Sequence, residues 1–241
     1  HLAATLCDLK GKEVILPSLS FVSTAHAIMY NGGIPVFVDV NPHTLCIDPE
    51  EIKKKISKKT RCIIPVHFGG MPADIKKIQK LSNSNIMIIE DAAHACGSEF
   101  NGKKIGSHGD FVCFSFHPVK NLAMPTGGLI SINSHNYKKI TEDLKSKRWC
   151  GISNRKYADY DVDKIGWNFY MNELSAAIGL VQLQKIKKMN NRRQSIAKIY
   201  DKELNVSKKI PFTSTCVYHL YWICVRDRKI FRKKLLEKGI E

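Results

Sequence analysis

Short, nearly all-apolar segments alternate with helical segments along the chain, and this alternation constrains the fold most strongly. The strand-like runs lie at residues 13–16, 35–39, 62–66, 87–90, 111–116 and 128–132. Strands that are apolar on both faces are typical of a parallel sheet covered by helices on each side. The sequence therefore predicts an α/β protein with a largely parallel sheet between helices.

Helix signals separate the predicted strands. Residues 20–30 are predicted to form a helix, with Ser18 or Ser20 as its candidate cap. A proline and two glutamates follow Asp48, and this pattern predicts a helix start because aspartate caps, proline fits the first turn and acids favour the positive end of the helix dipole. Residues 74–81 are predicted to form a further helix.

The last third of the sequence predicts a long helix and then a second, smaller domain. Residues 172–204 are helical by pattern, and an apolar stripe on them is interpreted as core or dimer packing. The stripe consists of Leu174, Ala177, Ile178 and Val181. A strand at 217–225 and a helix at 227–238 predict that a large domain (1–204) is followed by the start of a small α/β domain (205–241). The chain begins without Met and stops where a helix should lead into a strand, so both ends are expected to be cut and the large domain to lack its N-terminal part.

Composition favours a globular protein with a basic surface. The formal net charge is +16, but the lysines are spread over polar helix faces, and this favours a solvated surface over a nucleic-acid site. A basic rim would also attract a phosphorylated substrate. No apolar run reaches the roughly 18 residues that a membrane span needs.

The cysteines indicate a reducing compartment. None of the eight forms a CxxC pair, so neither a disulfide framework nor a metal site is predicted. Cys62, Cys113 and Cys224 lie in apolar runs and are predicted to be buried free thiols. A cytoplasmic location is expected.

An acidic residue follows one of the predicted strands. Ligands of open α/β sheets bind at the carboxyl ends of the strands, and Asp91 lies at such an end with small residues after it. Asp91 could pair with the protonated pyridine nitrogen of pyridoxal 5'-phosphate (PLP), a pairing that makes this cofactor an electron sink. A helix-capping aspartate is an equally good interpretation of this segment alone.

A lysine follows a later strand. Partial burial would lower the pKa of Lys120 and free its amine for Schiff-base formation. Ser115 could donate to a phosphate, and the pair Gly127–Gly128 allows close backbone approach. A lone lysine is usually a surface residue, but the order of acid, serine, lysine and glycine pair favours a PLP site.

Seven segments, in order, resemble the DegT/DnrJ/EryC1/StrS family of sugar-nucleotide aminotransferases. They lie at residues 17–25, 35–40, 66–70, 90–95, 114–120, 166–169 and 176–183. The resemblance runs from about residue 12 to the end of the chain. It implies the type I fold of PLP-dependent transferases, the fold of aspartate aminotransferase, with a seven-stranded type of sheet.

The resemblance implies how the cofactor is held. Lys120 would bind PLP covalently and then carry the proton, and Asp91 would hold the pyridine nitrogen. His94 would lie near the phenolic oxygen, Phe21 would stack on the ring and Ser115 would bind the phosphate. A buried structural histidine and a core phenylalanine remain alternatives for His94 and Phe21.

The resemblance also implies partner and substrate contacts. Asn168 would reach the phosphate from a second subunit, so the active unit would be a homodimer. His117 and His219 would lie near the sugar nucleotide. Three departures from the family pattern matter: the Gly-Thr cofactor loop would precede His1, most of the small domain would follow Glu241, and Tyr170 stands where many relatives have arginine. The missing arginine weakens the inference about partner contacts.

The implied reaction is transfer of an amino group from glutamate to a 4-keto-6-deoxy sugar linked to UDP, for surface polysaccharide or glycan synthesis. A PLP-dependent sugar dehydratase is one alternative, but that subgroup has histidine in place of the cofactor lysine, and Lys120 argues against it. The other alternative is a non-catalytic regulator on the same fold. Lys120, Asp91 and Ser115 disfavour that interpretation.

Overall fold

A six-stranded sheet forms the centre of the molecule in the computed structural model, which describes all 241 residues. The strands are β1 (Glu13–Pro17), β2 (Ile34–Val38), β3 (Thr60–Ile63), β4 (Met87–Asp91), β5 (Glu99–Phe100), β6 (Lys103–Lys104), β7 (Phe111–Ser115), β8 (Gly128–Ile132), β9 (Ile152–Lys156), β10 (Asp159–Val162), β11 (Lys208–Lys209) and β12 (Ile223–Cys224). The large sheet has the order β2-β1-β3-β4-β7-β8. Its first five strands are parallel and β8 is antiparallel to β7. The predicted, largely parallel α/β architecture is confirmed, and six strands of the implied seven-stranded type of sheet lie within this chain.

Both faces of the sheet are covered, as the apolar strands require. Side chains alternate between the two faces of a strand. In β1, Ile15 belongs to one buried cluster, whereas Val14 and Leu16 belong to the other, and all three are fully buried. The alternation of β1 between two separate cores explains why no polar residue interrupts it.

Six α-helices surround or extend from the sheet. They are α1 (Val22–Met29), α2 (Pro49–Lys55), α3 (Ile75–Leu81), α4 (Tyr137–Arg148), α5 (Glu173–Glu203) and α6 (Arg228–Leu236). Side chains cap α2, α3 and α5: Asp48, Asp74 and Asn172 each accept a hydrogen bond from a backbone N–H of the first turn. The predicted serine cap of α1 is wrong. Phe21 occupies the cap position of α1, and the hydroxyl of Ser20 donates to the Phe21 carbonyl instead.

The predicted strand at 217–225 is mostly wrong. Only Ile223–Cys224 is a strand, and it pairs with Lys208–Lys209 in a two-stranded ribbon. The preceding residues fold back against the large sheet, where the Leu220 N–H donates to the Gly69 carbonyl. A backbone hydrogen bond to a turn replaces the strand ladder there, and the boundary between domains at residue 205 stays a prediction.

Burial differs among the cysteines. All eight are free thiols, Cys62 is buried and Cys113 is partly buried. Cys224 is exposed, so the prediction of a buried thiol is wrong there, because the ribbon that carries it leaves Cys224 open to solvent. Every helix is either too short or too polar to cross a membrane.

The apolar stripe of α5 lies at the surface of this chain. Leu174, Ile178 and Val181 are 80%, 45% and 48% exposed. Packing in the core of the same chain is therefore excluded for these three side chains. The other interpretation of the stripe, contact with a second subunit, stays a prediction.

Candidate active site

A cavity of about 790 Å³ lies at the carboxyl ends of β1, β4 and β7. This is the edge of the sheet at which α/β proteins bind their ligands. Six of the eight predicted site residues line the cavity: Phe21, Asp91, His94, Ser115, His117 and Lys120. Three strand ends thus bring together side chains that are far apart in sequence.

Asp91 is the last residue of β4, and its carboxylate is held from two sides. Thr24 donates its hydroxyl hydrogen to Oδ2 over 2.7 Å, and the Ala93 N–H donates to Oδ1 over 3.1 Å. No helix begins after Asp91, so the helix-cap alternative is wrong. Sequence reasoning assigned no role to Thr24, although its hydroxyl in the first turn after β1 was a signal for one.

Lys120 lies on the loop that connects β7 to β8. The Phe116 N–H donates to the Gly127 carbonyl, and the Lys120 N–H donates to the His117 carbonyl. Burial lowers the pKa of Lys120, and the opposing charge of Asp91 raises it by a smaller amount. The amine of Lys120 and the carboxylate of Asp91 therefore line the same cavity, as the PLP hypothesis requires.

Ser115 and Phe21 lie on two sides of the cavity. Ser115 is the last residue of β7, and its oxygen accepts a hydrogen bond of 3.3 Å from the His117 N–H. Its hydroxyl hydrogen therefore remains available to a phosphate. Phe21 is 73% exposed, so the alternative of core packing is wrong for this side chain. A ring that is exposed at the mouth of a cavity can cover a flat ligand.

His94 and His219 stack on each other beside Lys120. Their ring centroids are 4.4 Å apart and their planes differ by 27°. Burial, with a smaller effect of Lys120, lowers the pKa of His94 to about 4. Burial, with smaller effects of His94 and Lys120, lowers the pKa of His219 to about 3. Both rings are therefore neutral at neutral pH, and His219 meets the cavity through its contact with His94.

Asn168 is not one of the residues that line the cavity of its own chain. It is exposed and forms an isolated antiparallel bridge with Trp149. A contact with the cavity of a second copy stays a prediction.

A buried histidine–glutamate pair supports the strand that carries Asp91. His67 Nε2 and Glu90 Oε2 are 2.7 Å apart, and both side chains are 0% exposed. The Ala73 N–H donates to His67 Nδ1, so the ring proton resides on Nε2 and is donated to Glu90. The Gly109 N–H donates to the other carboxylate oxygen. Through Glu90, which precedes Asp91, the pair holds the end of β4 in place.

The residues of the cavity fit PLP. Lys120 offers an amine whose pKa is lowered by burial, as covalent binding of an aldehyde requires. Asp91, supported by Thr24, offers a carboxylate for a pyridinium nitrogen, and Ser115 offers a hydroxyl for a phosphate. The fold and the site together define a PLP-dependent protein of the type I transferase fold.

The chain belongs to the DegT/DnrJ/EryC1/StrS aminotransferase family, whose model matches residues 1–241. It is 36% identical to the uncharacterized protein MJ1066 of Methanocaldococcus jannaschii, over 99% of this chain and 65% of that protein. It is 34% identical to the GDP-perosamine synthase of Escherichia coli O157:H7, over 100% of this chain and 67% of that protein. The chain thus spans about two thirds of the length of these relatives.

Solved structures of sugar aminotransferases match the fold closely. CalS13 from Micromonospora echinospora matches with a TM-score of 0.90 at 30% identity, over 99% of this chain and 69% of that one. The putative sugar aminotransferase Spr1654 from Streptococcus pneumoniae in its PLP form matches with a TM-score of 0.89 at 26% identity, over 99% and 69%. The predicted family, fold and cofactor class are confirmed.

Proposed function

We propose that this chain carries the core of an aminotransferase that moves an amino group from glutamate to a keto sugar nucleotide. The observation that carries the proposal is the shared cavity of Lys120, whose pKa is lowered by burial, and Asp91, whose two oxygens are both hydrogen-bonded. The family and its sugar aminotransferase structures support the same reaction.

The chain's own residues would divide the work. PLP, when bound, supplies stabilisation of negative charge on the carbon that carries the amino group. Asp91 holds the protonated pyridine nitrogen, and Ser115 donates to the phosphate. Phe21 would cover one face of the ring and shield it from water. Lys120 is the lysine of the cavity, so its amine would hold the cofactor and would then take the proton from the amino donor's α-carbon.

The amino acceptor in this proposal is a UDP-linked 4-keto-6-deoxy sugar, and the product enters surface polysaccharide or glycan synthesis. The relatives support a sugar acceptor: one is a GDP-perosamine synthase, and PseC of Helicobacter pylori is an aminotransferase involved in the biosynthesis of pseudoaminic acid. The net charge of +16 favours approach of a diphosphate. The eight free thiols support a cytoplasmic location in this proposal, because the cytoplasm keeps thiols reduced.

Borohydride trapping tests the cofactor part of this proposal. Protein loaded with PLP is expected to retain the mass of the cofactor on the peptide of Lys120 after reduction. Lys120→Ala should lose this mass, whereas the control Lys187→Ala, on the exposed face of α5, should keep it. Lys120→Ala that keeps the adduct would defeat the assignment of Lys120. Wild-type protein without the adduct would also defeat it and would favour the non-catalytic regulator.

The substrates are tested in separate half-reactions. Glutamate should convert the bound cofactor to its amine form, which a change of the absorbance spectrum reports. UDP- and GDP-linked 4-keto-6-deoxyhexoses are then added, and the products are identified by mass and NMR. No response to glutamate, combined with loss of water from a sugar nucleotide, would favour the dehydratase. Conversion of the GDP-linked sugar alone would show that the acceptor is linked to GDP and not to UDP.

The homodimer rests on exposed apolar side chains and on Asn168. Leu174 and Ile178 on α5 are 80% and 45% exposed, and burying one such side chain stabilises by about 1.5–3 kcal/mol. In this proposal a second copy covers these side chains, and Asn168 binds the phosphate in the cavity of that copy. Sedimentation should therefore show a dimer for the wild type and a monomer for Leu174→Asp. The control Leu236→Asp, which changes an exposed leucine of α6, should remain dimeric, and a monomeric wild type would contradict the proposal.

A further inference from the structure

Two buried asparagines are hydrogen-bonded to each other, and one of them follows Lys120 directly in the sequence. Asn121 and Asn190 are only 3% and 7% exposed. The amide nitrogen of Asn121 donates to Asn190 Oδ1 over 2.9 Å and to the Val217 carbonyl over 3.3 Å. The amide nitrogen of Asn190 donates to the Cys96 carbonyl over 3.1 Å. These contacts tie the lysine loop, α5 and the segment around residue 217 together.

The orientation of the Asn121 side chain follows from its partners. A backbone carbonyl only accepts, so the atom of Asn121 that faces Val217 is the nitrogen. The oxygen of Asn121 therefore faces His219 Nδ1, at 2.9 Å. An oxygen acceptor requires a hydrogen on that ring nitrogen. A neutral imidazole carries a single N–H, so Nε2 of His219 keeps its lone pair.

The stacked neighbour His94 has the opposite arrangement. The Gly69 N–H donates to His94 Nδ1 over 3.3 Å, so the proton of the neutral ring is on Nε2. Within the stacked pair, Nε2 of His94 thus carries a hydrogen and Nε2 of His219 carries a lone pair. Both rings lie near enough to Lys120 for its charge to act on their pKa. Neither ring adds a positive charge beside that lysine, because burial keeps the pKa of each low.

We propose that Asn121 is a positioning residue that fixes His219 in the tautomer whose Nε2 is a hydrogen-bond acceptor beside Lys120. Substrates that donate a hydrogen bond to Nε2 of His219 are then preferred. This inference rests on the proposed function. A sugar with a hydroxyl next to its keto carbon brings such a donor to the carbon that receives the amine. Glutamate has no hydroxyl there, so the acceptor acts in the sugar half of the reaction and not in the glutamate half.

Ring-nitrogen NMR of the full chain, labelled with ¹⁵N at histidine, tests the arrangement without any catalytic assay. Resonances are assigned with His94→Gln and His219→Gln. The wild type is expected to show His219 protonated at Nδ1 and His94 protonated at Nε2. In Asn121→Ala, His219 should lose its fixed Nδ1 proton and His94 should keep its tautomer. A wild-type His219 with its proton on Nε2, or one that does not respond to Asn121→Ala, overturns the inference.

Kinetics of the two half-reactions test the consequence. In Asn121→Asp, the carboxylate would favour a doubly protonated His219, and Nε2 would change from acceptor to donor. The half-reaction with the UDP-linked 4-keto-6-deoxyhexose should slow by about 10- to 100-fold, the effect of an unsatisfied buried hydrogen-bonding group, whereas the glutamate half-reaction stays within about threefold. The control Asn191→Asp, an exposed asparagine of α5, should leave both half-reactions unchanged.

The outcomes separate this inference from the proposed function. Equal loss in both half-reactions would show a merely structural Asn121 and overturn the inference. A wild type without either half-reaction would overturn the proposed function, and with it the selection of a sugar hydroxyl. The NMR spectra of wild type and Asn121→Ala would still decide whether Asn121 fixes the His219 tautomer.

Discussion

Removing the imidazole of His67 should destabilise the protein far more than loss of an ordinary polar contact. His67 and Glu90 are fully buried and joined over 2.7 Å. In His67→Leu, the carboxylate of Glu90 keeps only the Gly109 N–H as a donor, and the Ala73 N–H loses its acceptor. Each buried group that loses its hydrogen-bond partner costs about 1–3 kcal/mol, and more for a carboxylate, so the loss of both contacts should cost about 3–5 kcal/mol.

A double-mutant cycle isolates the coupling within this pair. Glu90→Leu alone removes the charge but leaves the His67 and Gly109 N–H groups unsatisfied, at a cost of about 2–4 kcal/mol. The double variant His67→Leu/Glu90→Leu buries no charge and no imidazole. Its destabilisation should therefore be about 2–3 kcal/mol smaller than the sum of the two single changes.

Urea unfolding, read as a shift of the midpoint at constant m value, measures the free energies of the cycle. The control is Lys145→Leu, which breaks an exposed pair with Glu142 whose side chains are 56% and 75% exposed. It should change stability by no more than about 0.5 kcal/mol. If the effects of the single changes in the buried pair add within about 0.5 kcal/mol, the two side chains are not coupled and the reasoning is refuted.

Two further predictions concern single hydrogen-bonding groups. Thr24→Val removes the 2.7 Å hydrogen bond to Asp91 and should raise the PLP dissociation constant about 5- to 10-fold in equilibrium dialysis, whereas Thr24→Ser should retain binding; equal affinities for wild type and Thr24→Val would contradict this. Burial acts to raise the pKa of Asp143, but hydrogen bonds from Lys147 and Lys164 outweigh burial and lower it. A carboxyl group whose native pKa is lowered stabilises the folded protein at a pH above the group's unfolded-state pKa. This stabilisation is lost as the pH falls through the native pKa. Asp143→Asn should therefore be less stable than the wild type at neutral pH by at most about 1 kcal/mol; the difference should begin to shrink as pH falls below about 4 and should disappear only below the lowered native pKa. A difference that persists or grows in acid unfolding would refute the assignment.

Helix starts could be predicted where the cap is local. Asp48, Asp74 and Asn172 each bond to an N–H two or three residues ahead, so the sequence contains both partners. The start of α1 was predicted less well, because Ser20 had a competing partner in the carbonyl next to it. Helix α4 was not predicted, since it buries only two side chains and its apolar period is correspondingly weak.

The positions of Asp91 and Lys120 could be predicted because Asp91 ends a recognisable strand and Lys120 lies on the loop after another. Their supporting contacts could not, because those contacts depend on which loops meet at the sheet edge. Thr24 meets Asp91 across 67 residues, and His219 meets Asn121 across 98. No local sequence pattern predicts such a long-range contact. Because 217–225 was predicted as a strand, the turn that positions His219 was not predicted.

A cut within the loop of the β7–β8 hairpin would separate the part of the chain that carries Asp91 from the part that carries Lys120. Five residue pairs join the strands, and the loop between them leaves and re-enters the sheet at one edge. Val119 on that loop is 63% exposed. A protease that cuts the chain after Val119 would yield two polypeptides, one with the carboxylate of Asp91 and one with the amine of Lys120. Because the strand ladder joins the two pieces, we expect them to stay associated after the cut.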